Sequence, residues 1–328
     1  MHATATKPID LHRTFLLYFS SVRITQNSKD NSYIFSEFLY NGNMQSNSIS
    51  IRIKNRILSL SSPIVMGILN VTPDSFYPES RANTEERMIA RVKAILAEGG
   101  TIIDIGGYST RPFAVEVTEN EEMERLFGAL TIIRKHFPDA ILSVDTYRAH
   151  VADQVIREFA VDIINDISGG TLDPRMDEVI AYHQVPFILM HMRGTPQTMQ
   201  QFTTYKNLFH EVSLFFAQRI QRLSELGVND IVLDPGFGFA KTIAQNFELL
   251  RHLSRFSLFE KPLLAGLSRK SMLYKTLHTD AEHSLPATIA VNTIALMGGA
   301  SILRVHDVSE AVQAIAMYEN TYSSLIVE

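Results

Sequence analysis

From Pro63 onward the chain alternates short apolar runs with longer amphipathic stretches, and no other feature limits its fold as tightly. The short runs lie near Ile64–Leu69, Ile102–Ile105, Ile141–Val144, Asp162–Ile164, Pro186–Met190, Asp230–Leu233, Pro262–Ala265 and Ser301–Val305. Each has the length of a buried strand. Helical patterns fill the gaps, near Thr84–Glu98, Glu119–His136, Ala149–Phe159, Pro174–Tyr182, Tyr205–Leu226, Ile243–Leu250, Arg269–Leu277 with Leu285–Met297, and Ser309–Tyr318. Eight strand-then-helix units in roughly 250 residues predict an α/β chain folded as a (β/α)8 TIM barrel. A doubly wound open sheet uses the same units and is the competing architecture.

The segment before the barrel differs in texture. Met1 to about Ser62 is rich in Ser and Asn, as in "NGNMQSNSIS", and shows little sustained periodicity. Residues 1–50 are expected to be a poorly ordered or loosely docked N-terminal extension, with residues 51–328 forming one barrel domain. Met44 offers a second translational start. "SISIRIKNRILSL" alternates around "KN", which predicts a short N-terminal hairpin placed to cap the bottom of the barrel. Asp307 followed by Glu310 reads as a capping box, and Ser268 and Thr146 as caps of other helices. The helix "LPATIAVNTIALMGGA" is apolar nearly all round, so it is either deeply packed or part of a subunit interface.

Composition narrows the partners. With 30 Lys+Arg against 35 Asp+Glu, net −5, no global basic field draws nucleic acid or an anionic membrane. An anionic substrate needs local cations. The chain has no cysteine, which excludes disulfides, thiolate nucleophiles and cysteine-ligated metals and fits a reducing cytoplasm. No apolar run approaches the roughly 20 residues of a membrane helix. "DLHRTFLLYFSSV" is too short and interrupted for a secretory signal and lacks a small-residue cleavage site.

In a barrel of this kind chemistry is built at the C-terminal ends of the strands, and there the unusual polar residues cluster. The eight strands end in turn in Asn70, "GGYSTRP", Asp145, Asn165 with Asp166, "MHMRG", "DPGFGFAKT", "GLSRKS" and "RVHD". Each has a plainer reading alone. Asn70 is also a turn residue, Asp145 a cap, Asp234-Pro235-Gly236 a turn tripeptide, and His191 a satisfied, half-buried histidine. Arg304 and His306, two apart, share a strand face, and two cations there need an anion. In "GLSRKS" the helix start carries Arg269, Lys270 and Ser271, combining backbone donors with fixed positive charge. A solvated helix start is the alternative; an anion or carboxylate site is the functional reading.

Together "MGILNVTPDSF", "GGYSTRP", "SVDTYR", "IINDISGG", "MHMRGTP", "DPGFGFAKT", "GLSRKSML" and "RVHDV" resemble the dihydropteroate synthase family, in order, from about Pro63 to Tyr318. The resemblance implies a cytoplasmic, homodimeric, Mg2+-dependent pterin-binding TIM barrel. Its reaction is a transfer in folate biosynthesis that joins 6-hydroxymethyl-7,8-dihydropterin diphosphate to 4-aminobenzoate and releases pyrophosphate. It further implies that Asn70 holds Mg2+ and diphosphate. Asp145, Asn165, Asp234 and Lys270 would form the pterin pocket, with Met190 and Phe239 as walls and Arg304 beside them. Arg304 and His306 would bind the diphosphate, and Asp145, Lys270, Arg304 and His306 would be the catalytic set. Phe76, Thr110, Arg111, Pro112 and Ser271 would enclose 4-aminobenzoate, partly from two mobile loops, Val71–Arg81 and Gly107–Val117.

The chain departs from the family pattern at Tyr108, where Glu is usual, at Phe113 and Ala240, where Gly is frequent, and in the bulky "FYPESR" of the first loop. Alternative readings are a pterin-binding paralogue without catalysis and a folate-dependent methyltransferase barrel, although the latter has no use for "STRP" or for Arg304 with His306. A metal-dependent barrel hydrolase wants a His-x-His pair where this chain has "LNV".

Overall fold

The computed structural model describes residues 24–26, 33–35, 49–71, 81–108 and 117–322. The chain divides into two units, Met1–Asn47 and Ser48–Glu328. In the first, strands β1 (Ile24–Gln26) and β2 (Tyr33–Phe35) pair antiparallel, Ile24 opposite Phe35. The weak periodicity of that segment gave no sign of this pair.

The second unit opens with β3 (Ser50–Ile53) and β4 (Arg56–Ser59), the predicted hairpin. Its turn places Lys54 at φ 52°, in the left-handed region that a two-residue hairpin turn requires. Then follow β5 (Ile64–Asn70), α1 (Arg81–Ala97), β6 (Ile102–Gly106), α2 (Glu119–His136), β7 (Ile141–Asp145), α3 (Ala149–Phe159), β8 (Ile163–Asp166) and α4 (Met176–His183). The chain continues through β9 (Phe187–Met190), α5 (Leu208–Glu225), β10 (Ile231–Asp234), α6 (Ile243–Arg251), β11 (Leu264–Ala265), α7 (Ser271–Thr276), α8 (Leu285–Met297), β12 (Ile302–Val305) and α9 (Val308–Tyr322).

Strands β5 to β12 form one parallel sheet in the order β10-β9-β8-β7-β6-β5-β12-β11. A parallel bridge between Leu233 and Leu263, with the Leu233 N–H donating to the Pro262 carbonyl at 2.9 Å, joins the two ends. The sheet is therefore a closed barrel, and the open-sheet alternative is excluded. Helices cover it outside. Gly67 on β5 lets α1 approach: a side-chain carbon there would lie 2.6 Å from Ile95 Cγ2.

Alternation along the strands sorts the interior into layers. The lower layer is apolar: Met66, Ile102, Ile141, Ile163, Ile188, Val232, Leu264 and Ile302, one residue per strand, form one cluster with Ile51, Ile53 and Leu60. The hairpin thus plugs the barrel floor, as its sequence predicts. Ile51 and Ile53 are 1% and 0% exposed, each burial worth about 1.5–3 kcal/mol.

Capping follows local sequence in part. Thr118 with Glu121, and Thr242 with Gln245, make true capping boxes on α2 and α6. Of the three caps expected from sequence, Ser268 and Thr146 are not caps. Asp307 bonds Arg269 through both carboxylate oxygens, at 2.9 and 2.6 Å. Ser268 bonds His306, and α7 begins after Lys270 with no side-chain cap. Thr146 accepts from the Arg148 N–H, and α3 has no side-chain cap.

Candidate active site

Two residues beyond the apolar layer, the same inward faces carry Asp104, Asn165, Met190, Asp234 and Arg304; two further still, Gly106, Asp145 and His306 reach the mouth. The period of two that fills the floor with isoleucine therefore delivers the polar groups to one ring. Arg304 is its hub. Its Nε donates to Asp104 Oδ2 at 2.7 Å, and its Nη2 lies 2.6 Å from Asp104 Oδ2 and 3.0 Å from Asp145 Oδ2. Asn165 Nδ2 donates to Asp104 at 3.3 Å. Arg304 and His306 do share a face, and within the protein the anion beside Arg304 is the pair of buried aspartates. Asp145 is tied to Arg304 and caps nothing.

One guanidinium between two buried carboxylates cannot fully compensate both. Burial pushes Asp145 up to about 7, against the pull of Arg304 and with a further push from Asp104. Its other oxygen, Oδ1, is buried without a hydrogen bond. Burial disfavours the Arg304 charge, but Asp104 and Asp145 outweigh it, so the group stays protonated.

Asp234 uses Oδ1 to accept the Gly236 N–H at 2.8 Å, so it does make the turn, while Oδ2 points toward Gly266, 4.0 Å from where a side-chain carbon would sit. Burial raises its pKa, opposed by the Gly236 bond and by Lys270 and Arg304. Lys270 lies over the Phe239 ring, Nζ 4.4 Å from the centroid, and burial lowers it to about 8. Gly238, at φ +85°, leaves room for this lysine: a side-chain carbon there would sit 3.2 Å from Lys270 Cδ. Met190 and Phe239 wall the space, in an apolar cluster with Ile167, Met192, Met199 and Ala240. Ala240 itself adopts φ 49°, the conformation for which Gly is favoured.

At the rim, Asn70 ends β5 exposed, its Oδ1 3.7 Å from the position a Gly106 side chain would take; Asp145 Cβ lies 3.8 Å from the same point. His306 Nδ1 is 3.1 Å from Ser268 Oγ, and its carbonyl accepts from Arg91 at 2.6 Å. Ser271 is the first residue of α7. Phe76, Thr110, Arg111 and Pro112, with most of both predicted loops, lie outside the described residues. Tyr108, at the base of the second loop, packs edge-on to Tyr147 at 5.5 Å. The Arg148 guanidinium lies 5.0 Å from the Tyr147 ring centroid and is paired with Glu122.

Among the buried polar residues that sequence reasoning missed, Asp104 and Lys241 bear on the site. Asp104 had a signal: a lone charge in "IIDIG", on the same face as Ile102. Lys241 had none, since "FAKT" reads as a solvated lysine, yet it is 3% exposed and bonds His191 Nδ1 at 3.1 Å. His191 is satisfied, as its plainer reading held, but it is fully buried rather than half-buried, at 2% exposed.

A closed barrel whose mouth gathers carboxylates, an amide, a lysine and apolar walls defines a class, the pterin-binding enzymes, and the profile of that family matches residues 66–306. Among named relatives, the dihydropteroate synthase of Escherichia coli K12 is 42% identical over 272 residues, covering 81% of this chain and 94% of its own. The crystal structure of Yersinia pestis dihydropteroate synthase with a sulfonamide drug superposes with a TM-score of 0.78 at 41% identity, covering 84% of this chain and all of that one. That of Xanthomonas albilineans dihydropteroate synthase with 4-aminobenzoic acid gives 0.75 at 34%, covering 84% and 98%. The chain belongs to the dihydropteroate synthase family.

Proposed function

We propose that the barrel mouth condenses 6-hydroxymethyl-7,8-dihydropterin diphosphate with 4-aminobenzoate, giving 7,8-dihydropteroate and pyrophosphate. The observation that carries this reading is the ring of Asp104, Arg304 and Asp145, flanked by Asn165, Asp234 and Lys270. A dihydropterin presents a planar edge of ring N–H and amino donors, which Asp234 Oδ2 accepts while Asn165 reads the neighbouring edge. Met190 and Phe239 hold the ring flat, with Lys270 over the Phe239 face.

Diphosphate departs as the methylene C–O bond breaks and takes the bonding electrons with it. Arg304 and His306 face the negative charge that grows there. Positive charge grows on the pterin methylene, and the unpartnered Asp145 Oδ1 stabilises it. The arylamine lone pair then forms the C–N bond, and the amine gives up a proton to solvent. Because an arylamine is uncharged near neutral pH, no serine–histidine or cysteine–histidine pair is required. Phe76, Thr110, Arg111, Pro112 and Ser271 are assigned to holding 4-aminobenzoate and excluding water.

The donor chemistry at the rim fits Mg2+ arriving with the diphosphate. Among the described residues no group of three or more His, Cys, Asp or Glu forms a metal cage. Asn70 supplies one hard amide oxygen, and Mg2+ characteristically takes one or two protein oxygens together with phosphates and water. When bound, Mg2+ would neutralise diphosphate charge and ease its loss. Product formation should therefore need Mg2+ and stop with chelator; full turnover in excess EDTA would remove the metal from this scheme.

A homodimer through α8 and α9, in the cytoplasm, completes the proposal. The inner face of α8 is buried at Val291, Ala295 and Leu296. Its outer face exposes Ile294 (47%) and Met297 (58%), and α9 exposes Met317 (64%). A single monomeric species in sedimentation equilibrium at micromolar concentration would refute the dimer.

A further inference from the structure

Lys241 is a buried cation to which the reaction scheme gives no part. It lies just past the turn after β10, and its Nζ is surrounded by neutral acceptors: the Gly236 carbonyl at 3.0 Å, the Phe239 carbonyl at 3.0 Å and His191 Nδ1 at 3.1 Å. Among the described residues no carboxylate bonds it. A lone ammonium in such a place is costly, and burial lowers its pKa to about 7, so the location of its acceptors is informative. Gly236 donates its N–H to Asp234 Oδ1, the carboxylate assigned to the pterin edge, and Phe239 is the pterin wall. His191 belongs to the other side, at the end of β9, where its N–H donates to the Asp234 carbonyl at 3.0 Å.

We propose that Lys241 is a positioning residue for pterin recognition: it winds the Gly236–Phe239 turn around its ammonium, locks that turn to His191, and so fixes Asp234 and Phe239 together. The clasp has no slack. Gly236 is at φ +72°, and a side-chain carbon there would lie 2.1 Å from the His191 carbonyl oxygen. An ammonium has three N–H donors; the three nearest acceptors lie at 3.0–3.1 Å, and the His191 carbonyl is a longer fourth at 3.4 Å, a second tie to the same residue. His191 must then present an unprotonated Nδ1. Burial, followed by the Lys241 charge, holds its pKa well below the usual histidine range, which keeps it in that form. The turn is braced from outside by Tyr205, whose hydroxyl donates to the Ala240 carbonyl at 2.9 Å. Lys241 touches no reacting atom in this arrangement and acts only through the groups it holds.

The inference rests on the pterin reading above, and calorimetry on the full chain with 6-hydroxymethylpterin separates the two. If the wild-type protein does not bind this probe, the reading of the mouth fails; the clasp is tested on a wild type that binds. Lys241→Met is expected to weaken pterin about tenfold or more, and the KM for the pterin diphosphate should rise likewise, with the KM for 4-aminobenzoate within about twofold of wild type. Calorimetric stoichiometry counts folded protein, so partial misfolding does not mask the affinity. His191 gives a second pair should Lys241→Met not fold. His191→Asn keeps an acceptor near the Nδ1 position and should stay within about threefold, while His191→Leu should behave as Lys241→Met does. Pterin affinity within about twofold of wild type in Lys241→Met and His191→Leu, equal loss in His191→Asn and His191→Leu, or a parallel rise in both KM values would each overturn the proposal.

Discussion

Arg304 carries one positive charge and faces two buried carboxylates, and that imbalance organises the chemistry at the residue scale. Asp104→Ala leaves the guanidinium with Asp145 alone and strips Asn165 of its acceptor. It should cost about 3 kcal/mol in urea unfolding and about 100-fold in kcat through misplacement of Arg304. The pH dependence has a definite sign. Asp145, raised to about 7, must be ionised to meet the growing cation, and Lys270, lowered to about 8, must be protonated to act as a cation. Turnover should therefore rise with pH through about 7 and fall through about 8, with Asp145→Asn abolishing the acid limb along with most activity. Stability runs the opposite way. A carboxyl raised by folding contributes stability that is lost as pH rises through about 7, and a lysine lowered by folding contributes stability that is lost as pH falls through about 8. Lys241, lowered by burial to about 7, adds to the recovery on the alkaline side, so the ligand-free melting temperature should be lowest near pH 7; a maximum there would contradict these assignments. Part of this was legible in sequence. Asp145, Asn165, Asp234 and Arg304 stand at strand ends where the barrel rule looks for them. Asp104 needed the strand parity to be followed one step deeper, and the burial of Lys241 depends on a turn whose path no local pattern reveals.

At the scale of elements, the floor and the mouth of the barrel are separate. Ile53 packs in the apolar layer at the opposite end from Arg304, so Ile53→Ala should destabilise by about 2–4 kcal/mol while leaving kcat within about twofold, measured on the folded fraction. A large loss of turnover in stable protein would show that the two ends are coupled. The hairpin, the eight strands and the helices were readable because each rests on a local period, of two or of 3.6 residues. Two of the caps were not. Ser268 and Thr146 have cap-forming side chains, but Ser268 is taken by a long-range partner, His306, and Thr146 serves the turn before α3. Helix α8 is not packed all round: one face is buried on the barrel, and the other is left exposed and apolar.

For the whole molecule, family membership fixes the type of reaction, and the arrangement of the mouth explains how this chain would perform it. Of its departures from the family pattern, two lie among the described residues: Tyr108 packs edge-on to Tyr147, beside Arg148, and Ala240 holds a left-handed backbone in the apolar wall. The polar ring is intact. The most direct measurement is pyrophosphate and dihydropteroate formation from the pterin diphosphate and 4-aminobenzoate with Mg2+, in wild type and in Asp145→Ala, with pterin affinity measured on the same samples. The wild type should release both products in equal amounts. Asp145→Ala should lose at least about 100-fold in kcat while pterin binding weakens by less than about tenfold. Tight pterin binding by the wild type with no pyrophosphate released would contradict the account.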